Sequence, residues 1–175
     1  LAAQLFDAGH ILGSAMVRFE RGGKAIAFTG DLGGGNSPLL PPTEALPKVD
    51  YLVMEGTYGD RVRHEDESCV DALEDAIENA ASSGGTLIIP AFSIERTQDL
   101  LFDIRKLYAE ERVPRLPVYL DSPLAEKITD AYLKNPHYFA PDIAARVTGG
   151  ENIFTFPQLK FVGTPAESHR LDSMP

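Results

Sequence analysis

From Tyr51 onward the chain alternates short apolar runs with amphipathic segments of helical period, three times over, and this pattern limits the fold more than any other feature. The runs are Tyr51-Leu52-Val53-Met54, Thr86-Leu87-Ile88-Ile89 and Pro117-Val118-Tyr119-Leu120. Each is too short for a helix and carries β-branched or aromatic side chains that suit a pleated sheet. Helices are predicted over 66–82, where Val70, Leu73, Ile77 and Ala80 share a face, and over 93–111, with Ile94, Leu101, Ile104 and Tyr108 on one stripe. A third is predicted over 123–134, with Pro123 at its first position, where a missing N–H removes no hydrogen bond. Strands alternating with helices predict an α/β fold with a parallel βαβ sheet. A further strand is expected at 159–162, and a helix opens at Thr164-Pro165.

The residues before Tyr51 follow a different rule. Residues 2–7 are strand-like and run into a glycine-bearing loop, after which 15–20 alternates as a half-buried strand does. Arg21-Gly22-Gly23-Lys24 is a turn and 25–29 a second strand, so a β-hairpin over 15–29 ends at Gly30-Asp31. The Gly/Pro-rich stretch 32–47 is read as a loop or linker.

Composition narrows the class. With 43% hydrophobic residues in 175, a core of ordinary single-domain size is affordable. No stretch approaches the roughly 18 uninterrupted apolar residues of a membrane span, so no membrane partner is expected and a cytoplasmic location is the default. The single Cys69 excludes an internal disulfide and a cysteine-built zinc site, and is expected on the buried face of its helix. Sixteen Lys plus Arg against 26 Asp plus Glu give a net charge of −10, which argues against non-specific binding of nucleic acid. Metal ions and a few local arginines can still supply positive potential where a nuclease needs it.

In open α/β sheets ligands bind beyond the carboxyl ends of the strands. The residues there are Glu55 to Arg61, Pro90-Ala91-Phe92-Ser93 and Asp121-Ser122-Pro123. Ser93 and Ser122 stand at predicted N-cap positions. There a serine ordinarily caps its own helix, and it can also share the helix N–H groups with a phosphate oxygen. Arg61 and Arg96 are the cations best placed to contact phosphate, although exposed arginines commonly serve only solvation or ion pairs. Asp7-Ala8-Gly9-His10 and Thr29-Gly30-Asp31 share one design, a strand ending in a small residue followed by a side chain that can bind metal. Imidazole and carboxylate are zinc ligands, and a carboxylate can bridge two ions.

Five segments, in order, carry a resemblance. Asp-Ala-Gly-His-Ile-Leu-Gly-Ser-Ala at 7–15, Phe-Thr-Gly-Asp-Leu-Gly at 28–33, Glu-Gly-Thr-Tyr-Gly-Asp-Arg at 55–61, Ile-Pro-Ala-Phe-Ser-Ile-Glu-Arg-Thr-Gln at 89–98 and Tyr-Leu-Asp-Ser-Pro-Leu-Ala at 119–125 resemble consecutive motifs of the β-CASP nucleases. The resemblance implies a partial metallo-β-lactamase fold over 1–58, made of its hairpin and strands, followed by a β-CASP domain over 59–175 that is incomplete at its end. By the same resemblance His10 matches a zinc-binding histidine and Asp31 the aspartate that bridges two zinc ions. Glu55 matches the acidic residue that opens the β-CASP insertion and pairs with a downstream catalytic histidine. The implied activity is hydrolysis of RNA phosphodiester bonds, as endonuclease or 5′-exonuclease, through a water activated by two Zn2+ ions. Single-stranded RNA is the implied partner, and homodimerisation of the complete protein is left open.

The resemblance also places a His-x-His-x-Asp-His motif upstream of Leu1 and further histidines after Pro175. His64, His137 and His169 lack ligand-like spacing. The chain is therefore read as an internal fragment, expected on its own to bind zinc poorly and to lack nuclease activity. Two other functions fit the same motifs: a non-catalytic RNA-binding or scaffold subunit, and a DNA-directed nuclease of the same family. A small-molecule hydrolase fits poorly with the βαβ insertion after Glu55.

Overall fold

β2 (Ala15–Arg21) and β3 (Lys24–Phe28) form the expected antiparallel hairpin. Gly22 and Gly23 close it with positive φ angles of 60° and 74°, the pair of left-handed residues a type I′ turn requires. The computed structural model describes residues 1–35, 37–60, 68–172 and 174. β1 (Ala2–Asp7) pairs antiparallel with β2, and β4 (Tyr51–Val53) runs parallel to β3, giving a four-stranded sheet in the order β1-β2-β3-β4.

Register decides what this sheet shows on each side. Leu5, Val17, Phe28 and Val53 form one cross-strand row and Ala3, Phe19, Ile26 and Tyr51 the next, all on the same face because side chains alternate. Phe19 and Phe28 meet edge to face. This face is apolar and open, with Leu5 73% and Tyr51 61% exposed. The opposite face holds Met16, Ala25 and Ala27, all buried.

The chain divides into two compact units, Leu1–Arg63 with Asn135–Gly149, and His64–Lys134 with Gly150–Pro175. The first adds a 3-10 turn at Pro136–Tyr138 and the helix Pro141–Thr148 to the four-stranded sheet. The Ala140 N–H donates to the Leu39 carbonyl at 2.8 Å and ties that return segment to the buried Leu39-Leu40 pair.

The second unit contains α1 (Cys69–Ser83), α2 (Arg96–Ala109), β5 (Val118–Leu120), α3 (Pro123–Lys134), β6 (Leu159–Phe161) and, with Pro141–Thr148 numbered α4, α5 (Pro165–Leu171). Its core joins Leu73 and Ile77 of α1 to Ile104, Leu107 and Tyr108 of α2 and to Val113. β5 and β6 pair in parallel as a separate two-stranded sheet. The mixed α/β class agrees with the expectation; the single parallel sheet does not.

The physical reason lies at 86–89, which is not a strand among the described residues. A parallel strand must be covered on both faces, whereas Ile88 is 82% exposed and Leu87 and Ile89 are also exposed. β4 instead joins the hairpin, and β5 finds β6. Cys69 is likewise exposed rather than buried. It occupies the first position of α1 after the Ser68 cap, one turn before Leu73, at the end of the helix rather than over its buried middle. The expected helix over 66–82 is described from Cys69, its first residues lying outside the described set. The helix expected over 93–111 spans only 96–109. α3 matches its expected bounds, and α5 starts at Pro165 behind a capping box made by Thr164 and Glu167.

One buried pairing in the second unit yields a stability prediction. The Tyr132 hydroxyl donates to Glu95 Oε2, and both residues are buried. Tyr132→Phe removes a donor to a carboxylate held away from water, so a loss of about 2 kcal/mol is expected in urea denaturation. An unchanged midpoint would show that water replaces the hydroxyl without cost.

Candidate metal centre

Two loops, at the carboxyl ends of β1 and β3, the strands that flank β2, build the site. After β1, Gly9 turns with φ +60° and its N–H donates to Asp7 Oδ1 at 2.7 Å. The Ser14 hydroxyl then accepts from the N–H groups of His10 (3.1 Å) and Ile11 (3.2 Å), and the Ala8 N–H reaches the Ser14 carbonyl. These bonds fix the backbone that carries the His10 imidazole.

After β3, the buried Thr29 donates its N–H to the Val53 carbonyl at 3.0 Å and its hydroxyl to the Gly30 carbonyl at 2.7 Å. The same hydroxyl accepts from the Glu55 N–H at 3.1 Å, so Thr29 joins the end of β3 to the residue following β4. Glu55 closes the arrangement from its side chain, accepting from the Leu32 N–H through Oε1 (2.9 Å) and from the Thr57 N–H through Oε2 (3.1 Å). Leu32 directly follows Asp31. The carboxylate of Glu55 therefore holds the loop that carries the Asp31 carboxylate.

The two loops touch through backbone. The Gly33 N–H donates to the Ala8 carbonyl at 2.9 Å, and a Cβ placed on Gly33 would lie 1.7 Å from the Gly9 carbonyl oxygen. Only a residue without a side chain allows this approach. The Thr43 hydroxyl adds a bond to the Ala8 carbonyl at 3.0 Å from the loop that follows.

The result brings His10 Nε2 within 3.9 Å of Asp31 Oδ2, with both side chains open to solvent. Two donors, each about 2.1 Å from a tetrahedral zinc ion, stand roughly 3.4 Å apart, so a small side-chain rotation brings this exposed pair to the spacing of two ligands of a single ion. Neutral imidazole and carboxylate are donor types that zinc takes. Among the described residues no group of three or more His, Cys, Asp or Glu side chains is arranged to hold a metal ion. A zinc ion bound here would draw its other ligands from water or from groups beyond this pair.

Glu55 has its own electrostatic signature. The Leu32 N–H, followed by the Thr57 hydroxyl and N–H, holds its carboxyl below the ordinary glutamate range, and the His10 imidazole adds to the effect. A folded-state pKa below the unfolded one stabilises the fold above the ordinary glutamate value of about 4.3, and that stabilisation is lost as pH falls below it. Glu55→Gln is accordingly expected to flatten the acid limb of a Tm-against-pH profile. A profile with the wild-type slope would remove Glu55 from this role.

The other sequence candidates lie elsewhere. Ser122 caps α3, its hydroxyl accepting from the Ala125 N–H at 3.2 Å, the ordinary use of such a residue. Ser93 is not an N-cap: α2 begins at Arg96, and the cap position belongs to Glu95, whose φ is 62°. The Ser93 carbonyl instead accepts from the Gln98 side-chain amide at 3.3 Å. Arg96 is exposed at the first position of α2, and its charge acts on Asp103. Arg61 and His64 fall outside the described residues. Thr29, Gly33 and Thr43 were not foreseen from sequence; the only signal was the density of glycines on either side of Asp31.

Comparison with known proteins agrees with this arrangement of motifs. Residues 97–175 match the Beta-Casp domain. The chain is 35% identical over 170 residues, 97% of its length, to Ribonuclease TTHA0252 of Thermus thermophilus. It is 32% identical over 158 residues, 86% of its length, to an RNase J-like protein of Methanocaldococcus jannaschii. With Cleavage and polyadenylation specificity factor 73 of Drosophila melanogaster it shares 32% identity over 129 residues, 73% of its length. The matched regions span 39%, 36% and 19% of those relatives. Together with the ordered motifs, these matches place the chain in the β-CASP family.

Proposed function

We propose that this chain is part of a zinc-dependent ribonuclease of metallo-β-lactamase fold that hydrolyses phosphodiester bonds of single-stranded RNA. The observation that carries this reading is the approach of His10 and Asp31 to 3.9 Å beyond the ends of β1 and β3, on either side of β2. The names of the relatives, a ribonuclease and an RNase J-like protein among them, support RNA as the substrate.

In this reading His10 and Asp31 would hold zinc, with further ligands supplied by the longer protein. Zinc bound there would lower the pKa of a water and neutralise charge on the scissile phosphate. The chain's own residues do the positioning. Ser14 and Asp7 fix the His10 loop, Thr29 and Glu55 fix the Asp31 loop, and Gly33 lets the two loops cross at backbone distance. Glu55 is an acceptor for two backbone N–H groups here, which makes it a positioning residue.

The test uses the full-length protein with labelled single-stranded RNA and DNA of one sequence, before and after chelation. RNA cleavage that disappears on chelation and returns with zinc is expected. Cleavage indifferent to chelation, or confined to DNA, would overturn the proposal. The 175-residue chain alone is expected to show no turnover in the same assay.

A further inference from the structure

The segment before α2 holds an aromatic ring in solvent by an unusual amount of buried hydrogen bonding. Phe92 is 83% exposed. A single exposed apolar side chain needs no explanation by itself, but the backbone on both sides of this one is pinned. The Thr97 hydroxyl donates to the Phe92 carbonyl at 2.7 Å, and the Gln98 amide donates to the Ser93 carbonyl at 3.3 Å. Thr97 and Gln98 are both buried. Gln98 is anchored in turn on the Thr129 hydroxyl of α3 at 2.9 Å, and that hydroxyl donates to the Ala125 carbonyl at 2.8 Å.

Strain is present in the same turn. Glu95 sits at φ 62°, a region costly for a residue with a side chain, and it is kept there by burial and by the Tyr132 hydroxyl. Backbone strain of this kind persists only where the surroundings over-determine it, and it clusters at active sites and ligand clamps. The turn fixes where Phe92 stands rather than hiding it, and packing the ring inward would remove the exposure that the buried bonds maintain.

A solvent-facing ring on a pinned backbone offers a flat, sequence-tolerant surface, and the partner that matches it is the π face of an unpaired nucleobase. Arg96, exposed four residues on at the start of α2, supplies a cation for the phosphate that adjoins a stacked base. We propose that Phe92 is a base-stacking platform for single-stranded RNA, with Arg96 as its phosphate contact; the proposal rests on the ribonuclease reading above. It gives the chain a way to bind a polyanion despite its net charge of −10, because stacking does not depend on charge.

The experiment measures fluorescence anisotropy of a labelled, uridine-rich single-stranded RNA on the purified chain, at about 50 and about 200 mM salt. It is paired with photo-crosslinking of the same RNA carrying 5-iodouridine. Phe92→Leu, Phe92→Trp and Arg96→Gln are compared with the unmodified chain, and circular dichroism is expected to be identical for all four because both side chains are exposed. Phe92→Leu should weaken binding about tenfold at both salt concentrations, while Phe92→Trp retains it. Arg96→Gln should reduce the salt dependence by about one charge. The crosslink should map to Phe92.

RNA that binds Phe92→Leu as tightly as the unmodified chain, with crosslinks elsewhere, would overturn the stacking role and leave the ribonuclease reading standing. A partner protein covering Phe92 is the alternative which that outcome would favour. Failure of the unmodified chain and of the full-length protein to bind RNA would overturn both.

Discussion

Gly33→Ala is expected to be the most damaging single-methyl change in the first unit, lowering stability by about 3 kcal/mol and Tm by roughly 10 °C. The added Cβ would fall 1.7 Å from the Gly9 carbonyl oxygen and 2.9 Å from the His10 backbone nitrogen. The obstruction is backbone on both counts, so no rotamer change relieves it. The loops must separate, breaking the Gly33 N–H bond to the Ala8 carbonyl and drawing the Asp31 loop away from His10. Gly34, one residue on, meets nothing within 4 Å, so Gly34→Ala serves as a control that should be nearly neutral. Urea and thermal denaturation of both variants would decide the matter, and equal losses for the two would show that the loops do not cross as described.

The second large effect concerns activity. In the full-length protein, Asp31→Ala and His10→Ala are each expected to reduce RNA cleavage by more than about 100-fold, whereas Glu55→Gln should cost about 10- to 100-fold by loosening the Asp31 loop. The ordering follows from position. Asp31 and His10 point donor atoms at the same small volume, while Glu55 reaches that volume through the Leu32 N–H. The double variant Asp31→Ala/His10→Ala should be little worse than either single one, because residues acting as a unit are not additive. Losses that multiply would mean the two side chains serve separate steps. Stability should scarcely change in either single variant, since both side chains are exposed and replacements at exposed sites usually fall within about 0.5 kcal/mol.

Local pattern made some elements readable and left others hidden. The β2–β3 hairpin follows from alternation and a Gly-Gly turn, and α3 from its proline start and apolar stripe, because each is specified by neighbours in sequence. Which strand pairs with which is not local. Tyr51–Val53 reads like the other apolar runs yet lies against β3, and residues 86–89 read the same way, form no strand and stay exposed. Ser93 looked like a helix cap because a serine after an apolar run usually is one. The start of α2 is set instead by Glu95 at φ 62° and by its bond to Tyr132, 37 residues away.

The site divides along the same line. His10 and Asp31 were identifiable as metal-binding types placed after strand ends, and the structure brings them together. The devices that do so were not visible. Gly33 against Gly9 and Thr29 against Glu55 are each separated by more than 20 residues, and nothing in either segment alone announces the other. Glu55 was foreseen as an acidic group near the site, but its hold on Leu32 and Thr57 was not.

Zinc titration of the isotopically labelled chain, followed through the imidazole resonances of its four histidines by NMR, tests the shared-ion claim most directly. Binding with only two protein donors should be weak, with His10 responding and the other histidines still; in Asp31→Ala the His10 response should vanish. A His10 response that survives Asp31→Ala, or zinc that perturbs the other histidines and leaves His10 unmoved, would contradict a common ion between positions 10 and 31.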